Sequence, residues 1–341
     1  MNSIEWFKGL PLEYESFLIE RYDSYMTTCR YIEVYYPSFE INYMLVSNDG
    51  CLTDLLIFGN CGNSSTCLNS LTEIDQNIID ECSKKIFEKN PSIQRIKIDA
   101  SFKEYFFKKA LLYHKCNDHI INLPSTMDDY YLELGYHTRK NIKNRKVRLL
   151  RDFPKAKFVT KFGAEIDEFV IARIIELNRD RMKNKGIIPG KDDAEKDNIY
   201  KYSQHYGCVA YIEIDGVIVA GSISTVLNKN LFAHVIAHDN NFSVYHLGEI
   251  CMFYLIQTAI EKGMSTFDLS WGENEYKMRL LAKPQLLFSY FIYRTYSLDY
   301  IVNKIGTKLS CSFLNIRLSK YSKPLRDIIK SYRKRKCNGN A

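Results

Sequence analysis

The sequence predicts a mixed α/β protein: an α+β mixed sheet with helices on its faces, made in two tandem copies and followed by a basic helical tail. Two Asp-Gly pairs, Asp49-Gly50 and Asp215-Gly216, each stand between runs of alternating apolar residues, the signal of a tight β-hairpin. Behind each hairpin the pattern has the same order of helix, strand, short helix and strand. Hairpins followed by crossover connections require a mixed sheet with covered faces. Side-chain identity between the halves is negligible, so the repetition is one of topology.

In chain order, Tyr31–Tyr36, Ile41–Ser47 and Cys51–Phe58 read as strands, the last two joined at Asp49-Gly50. Leu71–Lys89 has helical periodicity, Ile93–Ile98 is a strand, Phe102–Ala110 a short helix and His119–Leu123 a strand. The stretch 59–67, rich in Gly and Ser, lacks the lysine of a phosphate loop and reads as a flexible turn. Ser125 with Asp128 has the spacing of a capping box, and Gly135 separates the helix it opens from a basic helix over Thr138–Arg151. Helices over Glu165–Asn184 and Asp192–His205 lead into strands Cys208–Ile214 and Val217–Val226. Strand Leu231–His238, helix Leu247–Lys262 ended by Gly263, strand Thr266–Ser270, short helix Glu275–Leu281 and strand Leu286–Arg294 follow. Leu231–His238 has no counterpart in the first half beyond the 59–67 turn. The expected domains are 1–124, 125–297 with the basic linker helix near 138–151, and the tail 298–341.

With 341 residues the chain has room for about two cored domains. A content of 46% hydrophobic and 26% charged residues excludes disorder and collagen-like repeats. The net charge of +7 is uneven: residues 137–157 carry nine basic residues and one acid, and residues 304–341 carry eleven and one. The remainder is acidic. Such positive segments attract a nucleotide cofactor, a sugar nucleotide, a nucleic acid backbone or an anionic lipid, with a solvated helix face as the plain alternative. The start of the chain lacks a basic segment before an apolar run, and the most apolar late window, 280–302, is broken by Lys283, Pro284, Arg294 and Asp299. We therefore expect a cytoplasmic protein. The ten cysteines form no Cys-x-x-Cys pair, which points to reduced thiols and no zinc or redox centre. His234 and His238 share one face of a strand, but no third ligand follows at metal spacing, so a structural role is expected and no metal.

The segment Leu231–Arg279 concentrates the chemistry. It reads as a strand, a polar loop, a helix opening at Gly248, a second strand, and a polar turn carrying Tyr276 and Lys277. A helix start behind a strand offers unpaired N–H groups and a positive dipole end. A glycine there lets phosphate oxygens approach the backbone.

Three motifs in order carry a family resemblance: RKNIKNRKVRLL over Arg139–Leu150, His246-Leu247-Gly248, and an acid-x-x-x-Gly-x-x-x-Tyr-Lys run over Asp268–Lys277. Together they resemble the GNAT acyltransferase superfamily, in particular its CelD-like branch, which is related to the Fem-type peptidyltransferases. The resemblance covers about residues 130–295 and reaches the first half only through the tandem topology. The branch has Ser-Pro before the glycine, where His246 and Leu247 stand here.

The resemblance implies two tandem GNAT-like domains, the first degenerate, and an acyl-CoA-dependent acyltransferase, an N-acetyltransferase in the simplest case. The fourth and fifth strands, here Leu231–His238 and Thr266–Ser270, splay apart. The pantetheine arm of acetyl-CoA or another acyl-CoA lies along Val235 and Ile236, and the pyrophosphate rests at His246, Leu247, Gly248 and Glu249. An amine attacks the thioester, which requires a proton acceptor, oxyanion stabilisation and a proton for the thiolate. Asp268, His238 and Asp239 are candidate bases, and Asp239 is a candidate substrate contact. Tyr276 is a candidate donor to sulfur, and Lys277 is the favoured candidate for holding an oxyanion or a substrate phosphate.

Arg139, Lys140 and Lys143, on a helix expected between the domains, suit a phosphorylated acceptor. Family association makes that acceptor a nucleotide-linked amino sugar in surface polysaccharide synthesis. Two other readings stand beside it. A Fem-type transfer from aminoacyl-tRNA is disfavoured by the lack of a coiled-coil heptad block. A non-enzymatic basic module on nucleic acid or membrane is disfavoured by the lack of an RNA-binding signature. The tail, ending in Arg333-Lys334-Arg335-Lys336, adds peripheral membrane contact at the inner face in this scheme.

Overall fold

The computed structural model describes residues 2–187, 192–272, 275–296 and 300–301. In the first half, β1 (Asn2–Lys8) is followed by α1 (Glu15–Tyr22) and α2 (Cys29–Tyr35), then by β2 (Glu40–Asn48) and β3 (Cys51–Cys61). Next come β4 (Ser64–Cys67), α3 (Gln76–Lys89), β5 (Arg95–Ser101) and β6 (Ala110–Asn122). Helices α4 (Met127–Glu133) and α5 (Tyr136–Asp152) lead to β7 (Lys157–Phe162), α6 (Glu168–Asn184), α7 (Asp193–Tyr206), β8 (Gly207–Ile214) and β9 (Val217–Leu227). The chain continues through β10 (Asn230–His238), α8 (Leu247–Glu261), β11 (Thr266–Asp268), α9 (Glu275–Arg279) and β12 (Lys283–Tyr293).

These strands form one mixed sheet in the order β1-β2-β3-β4-β5-β12-β6-β11-β10-β9-β8-β7. The order reads alike from either edge: an antiparallel flank, one parallel pair (β4 with β5, β10 with β11), then an exchanged final strand. Strand β12 inserts between β5 and β6, and β6 inserts between β12 and β11. Each half thereby completes the core of the other. Phe288, Tyr290 and Ile292 of β12 pack with Leu55, Ile57 and Ile96, while Ile121 of β6 packs with Leu231, Ile256 and Phe267. The mixed α/β architecture with a repeated element order is the one the sequence predicts.

Both Asp-Gly hairpins form. Asp49 and Gly50 have φ of 50° and 81°, and Asp215 and Gly216 have 49° and 81°, the paired left-handed conformations of a type I′ turn. Other expectations are corrected. Tyr31–Tyr36 is not a strand, because Thr28 Oγ1 accepts from Tyr31 N at 3.2 Å and opens α2. Cys29 and Ile32, three residues apart, face the core, and the tyrosines follow a helical spacing. The helix expected over Phe102–Ala110 is an irregular connection, and β6 spans 13 residues from Ala110. Backbone pairing with β12 along most of its length holds β6, in place of apolar alternation. The 59–67 stretch is a hairpin turning at Gly62, and its second strand, β4, is the counterpart of β10.

Helix α3 starts at Gln76 on an Asp75 cap, not at Leu71. Thr126, not Ser125, caps α4, its Oγ1 lying 3.1 Å from Asp129 N. Strands β1 and β7, the two edges of the sheet, are absent from the sequence reading, since charged residues interrupt their apolar pattern as is common on edges. The helical tail expected over 298–341 lies outside the described residues apart from 300–301. The eight described cysteines are free thiols, five of them buried. No described helix is long and apolar enough to cross a membrane.

Candidate active site

The site begins where the sheet comes apart. β10 pairs with β9 from Asn230 to His238, yet with β11 only at Asn230–Thr266, Leu231–Phe267 and Phe232–Asp268. Past Asp268 the chain stays with β6, Leu269 N donating to His119 O at 2.8 Å, and turns away at Ser270 with φ of 63°. The β10 edge from Ala233 to His238 has no β11 partner, so its backbone groups can pair with an extended ligand. A bulge at His234 marks the departure, Ala233 opposing Ser224 and Val235 opposing Ile223. His234 Nε2 lies 2.7 Å from Thr225 Oγ1. In the first half the corresponding pair is closed: Ser64–Cys67, the whole of β4, pairs with β5.

A channel of about 340 Å³ follows the open edge, walled by Val235 and Ile236, by Asn178, Arg181 and Met182 of α6, by Met252 of α8, and by Trp271 and Tyr276. At the channel's outer end α8 begins. That helix is apolar on nearly every face and buried against the sheet, which fixes where its start points. His246 precedes it in the left-handed conformation, φ 53°. The N–H groups of Leu247 and Gly248 have no intrahelical acceptor.

Cations gather around this start. Arg145 and Arg279 both bind Glu249 in the first turn, the second at 2.9 Å. Burial, then Arg145 and Arg148, holds His246 below the ordinary imidazole range. Burial, then Arg181 and Lys185, does the same to His238. A Cβ on Gly248 would stand 3.2 Å from His238 Nδ1, so the glycine lets the imidazole pack beneath the helix start.

At the inner end, Asp268 of β11 and Asp118 of β6, which lies two residues along β6 from the partner of Asp268, are both buried. Asp268 Oδ1 accepts from Ser270 N at 2.6 Å, and Asp118 Oδ1 from His119 N at 2.9 Å. Burial and the Asp118 charge push Asp268 well above the carboxylate range, and burial raises Asp118 as well. Lys277 is 2% exposed. Its Nζ donates to the carbonyls of Ser270 at 2.7 Å, Trp271 at 3.0 Å and Gly272 at 2.9 Å.

Ala233, His234, Ser270 and Trp271 are shared with a second cavity of about 240 Å³ that opens toward the first half. Its walls are Tyr25, Tyr31 and Tyr35 from around α2, and Tyr202 and Glu195 from α7, with Asp268 at the junction. Tyr31 and Tyr35 stack with centroids 4.5 Å apart, and Tyr25 and Tyr202 meet Tyr31 edge-on at 5.4 and 5.6 Å. Tyr202 Oη lies 3.2 Å from Thr28 Oγ1, which fixes α7 against α2 across the junction of the halves.

Several of the residues expected from sequence are brought together here: Tyr276, Lys277, Val235 and Ile236 in the channel, Asp268 in the adjoining cavity, and His246, Leu247, Gly248 and Glu249 at the helix start. Lys277 borders the channel with its Nζ engaged by three carbonyls, so it staples the 270–272 turn. Two other expected residues lie away from Asp268. His238 lies under Gly248, at the opposite end of the open edge from Asp268. Asp239 caps the turn before α8, accepting from Asn241 N at 2.8 Å.

Helix α5 packs on α8 and does not lie between the halves. Arg139, Lys140 and Lys143 line a separate hollow with Tyr131, while Arg145 from the same helix faces the site. Sequence reasoning missed Asp118 and the four tyrosines. The first stands in the unread portion of β6, and Tyr31 and Tyr35 stand in a helix read as a strand.

Residues 137–278, which span the open edge, the α8 start and Asp268, match the acetyltransferase (GNAT) domain family. No curated protein matches the chain significantly by sequence. Among solved structures, FemX is similar over 88% of this chain and 100% of its own, with a TM-score of 0.63 and 11% identity. A conserved protein of unknown function from Bacteroides thetaiotaomicron is similar over 85% of this chain and 99% of its own, at 0.56 and 11%. L-PGS from Bacillus licheniformis is similar over 88% and 97%, at 0.55 and 13%. At these identities the likeness is one of fold. The GNAT match covers residues 137–278, and the fold of the chain as a whole is similar to that of FemX.

Proposed function

We propose that the protein transfers an acyl group from acyl-CoA to a small amine. The observation that carries this reading is the parting of β11 from β10 after Phe232–Asp268, which leaves a backbone edge running out to an electropositive helix start. A pantetheine arm carries amides that can pair with the edge at Val235 and Ile236. The N–H groups of Leu247 and Gly248, with Arg145, Arg181 and Arg279 nearby, suit its pyrophosphate. The thioester then falls near Phe232 and Asp268, and the amine arrives from the tyrosine-walled side.

In the transfer, the amine nitrogen bonds to the carbonyl carbon, the carbon–sulfur bond breaks, and the nitrogen loses a proton. The Asp268–Asp118 pair takes that proton. Tyr276, whose phenol burial holds above its ordinary range and so protonated, gives one to the departing thiolate. With Lys277 engaged elsewhere, N–H groups of the open β10 edge serve the oxyanion. A nucleotide-linked amino sugar was tied to Arg139, Lys140 and Lys143. Because those residues line a different hollow, the acceptor is taken as an amine without that phosphate contact.

A second reading, Fem-type transfer from aminoacyl-tRNA, rests on the likeness to the whole of FemX. Calorimetric titration of the full chain with acetyl-CoA, and separately with aminoacyl-tRNA, distinguishes the two. Acyl-CoA transfer requires saturable acetyl-CoA binding and thiol release when an alkylamine is added. Gly248→Asp should weaken acetyl-CoA binding by about 100-fold through repulsion of the pyrophosphate. Its unfolding midpoint should fall only slightly, since the new Cβ stands 3.2 Å from His238 Nδ1 and the imidazole must shift, while an acid in the first turn favours the helix dipole. Binding of aminoacyl-tRNA alone would favour the second reading, and full acetyl-CoA affinity in Gly248→Asp would reject the helix start as the pyrophosphate site.

A further inference from the structure

We infer that the tyrosine-walled cavity is the acceptor site and selects a phosphate-free organic cation, a primary alkylammonium; this rests on the acyl-transfer reading above. The cavity joins the donor channel at Ala233, His234, Ser270 and Trp271, so a molecule held in it reaches the point where β10 and β11 part. Its ionisable lining is acidic and phenolic: Glu195, Asp268 and the tyrosines, with His234 at the bulge. Among the described residues, no lysine or arginine lines it.

Burial raises the pKa of Tyr25, Tyr31, Tyr35 and Tyr202, which keeps the phenols neutral. Tyr31 and Tyr35 stack and Tyr25 and Tyr202 meet Tyr31 edge-on, so the wall is a cluster of neutral rings, which attracts a cation and offers an anion nothing. No described lysine or arginine lines this cavity to hold a phosphate, whereas the donor channel carries Arg181 and leads to Arg145 and Arg279. Charge thus divides across the opening in the sheet, with anions favoured at the helix start and cations between the halves. The ammonium releases one proton to solvent before attack, and Asp268, at the boundary, stands where the nitrogen loses its second proton in the transfer. The first half, whose own parallel strand pair is closed, supplies the aromatic wall.

Tetramethylammonium is the probe, since it binds aromatic cation sites and has no N–H to acylate. Titrated without donor into the full chain, it should bind saturably, and in turnover with acetyl-CoA it should compete with an alkylamine. Tyr31→Leu should weaken its binding by about 10-fold, while Tyr31→Phe, which keeps the ring face, should stay within about 3-fold of wild type. Acetyl-CoA affinity measured on each variant should not change, which shows that the fold and donor channel are intact. The inference is overturned by any of three results: no tetramethylammonium binding in protein that binds acetyl-CoA, undiminished binding in Tyr31→Leu, or faster acylation of a phosphorylated amine than of an alkylamine. Loss of acetyl-CoA binding in the wild type would instead overturn the donor reading, and the donor-free titration still decides cation binding.

Discussion

Lys277→Met should destabilise the protein by about 3–5 kcal/mol. Three carbonyls, those of Ser270, Trp271 and Gly272, converge on Nζ within 3.0 Å, and the Asp118–Asp268 pair lies beside it. A hydrogen bond from a charged donor contributes roughly 1.5–3 kcal/mol, and a carbonyl left buried without one costs about 1–3 kcal/mol. Methionine fills the volume and supplies no donor, so the 270–272 turn loses its anchor and the two carboxyls lose their nearby cation. That turn walls both cavities, and acetyl-CoA affinity should fall with stability. Urea unfolding of the full chain reads the effect. A loss below about 1 kcal/mol would mean that the turn holds its shape without the lysine.

Asp268→Asn should lower kcat by about 10²–10⁴-fold. The amide keeps an oxygen for Ser270 N–H but cannot take a proton from the incoming amine, so the KM for acetyl-CoA should change little. The pH profile adds a second readout. Burial and the Asp118 charge raise the Asp268 pKa, with Lys277 opposing them, so the base is protonated at a pH where an ordinary carboxylate is ionised. Activity should therefore fall as pH drops through that raised value, placing the acid limb above the carboxylate range. In Asp118→Asn the like charge is gone while Lys277 remains, and the limb should move to lower pH. An unmoved limb in Asp118→Asn, or a kcat within about threefold of wild type in Asp268→Asn, would mean that the proton leaves by another route.

The second half was legible because its elements carry strong local signals: Asp215-Gly216 between apolar runs, Gly263 ending an apolar helix, and the ordered motifs at Gly248 and Asp268. The first half was less so. Its α2 is rich in tyrosine, which favours strands in general, and the hydroxyl of Thr28 decides the helix locally. β6 holds its place through backbone pairing with a strand from the far end of the chain, a contact that no window of the sequence contains.

The same distance hid Asp118, whose meaning depends on Asp268 across the β6–β11 pair. Lys277 was legible as a residue of consequence, but its carbonyl partners were not. Sequence spacing places a lysine after the fifth strand, and only the turn at Ser270 shows that three carbonyls reach it first. On α5, the basic motif was seen as a block, whereas helical geometry sends Arg145 toward α8 and Arg139, Lys140 and Lys143 to another face.

Hydrogen–deuterium exchange on the full chain, with and without saturating acetyl-CoA, tests the core of this account. If a thioester donor lies along the unpaired edge, peptides covering Ala233–His238 and the Leu247–Gly248 helix start should gain protection. The closed Ser64–Cys67 strand of the first half should not change. Unaltered exchange across both second-half segments at saturating acetyl-CoA would contradict it.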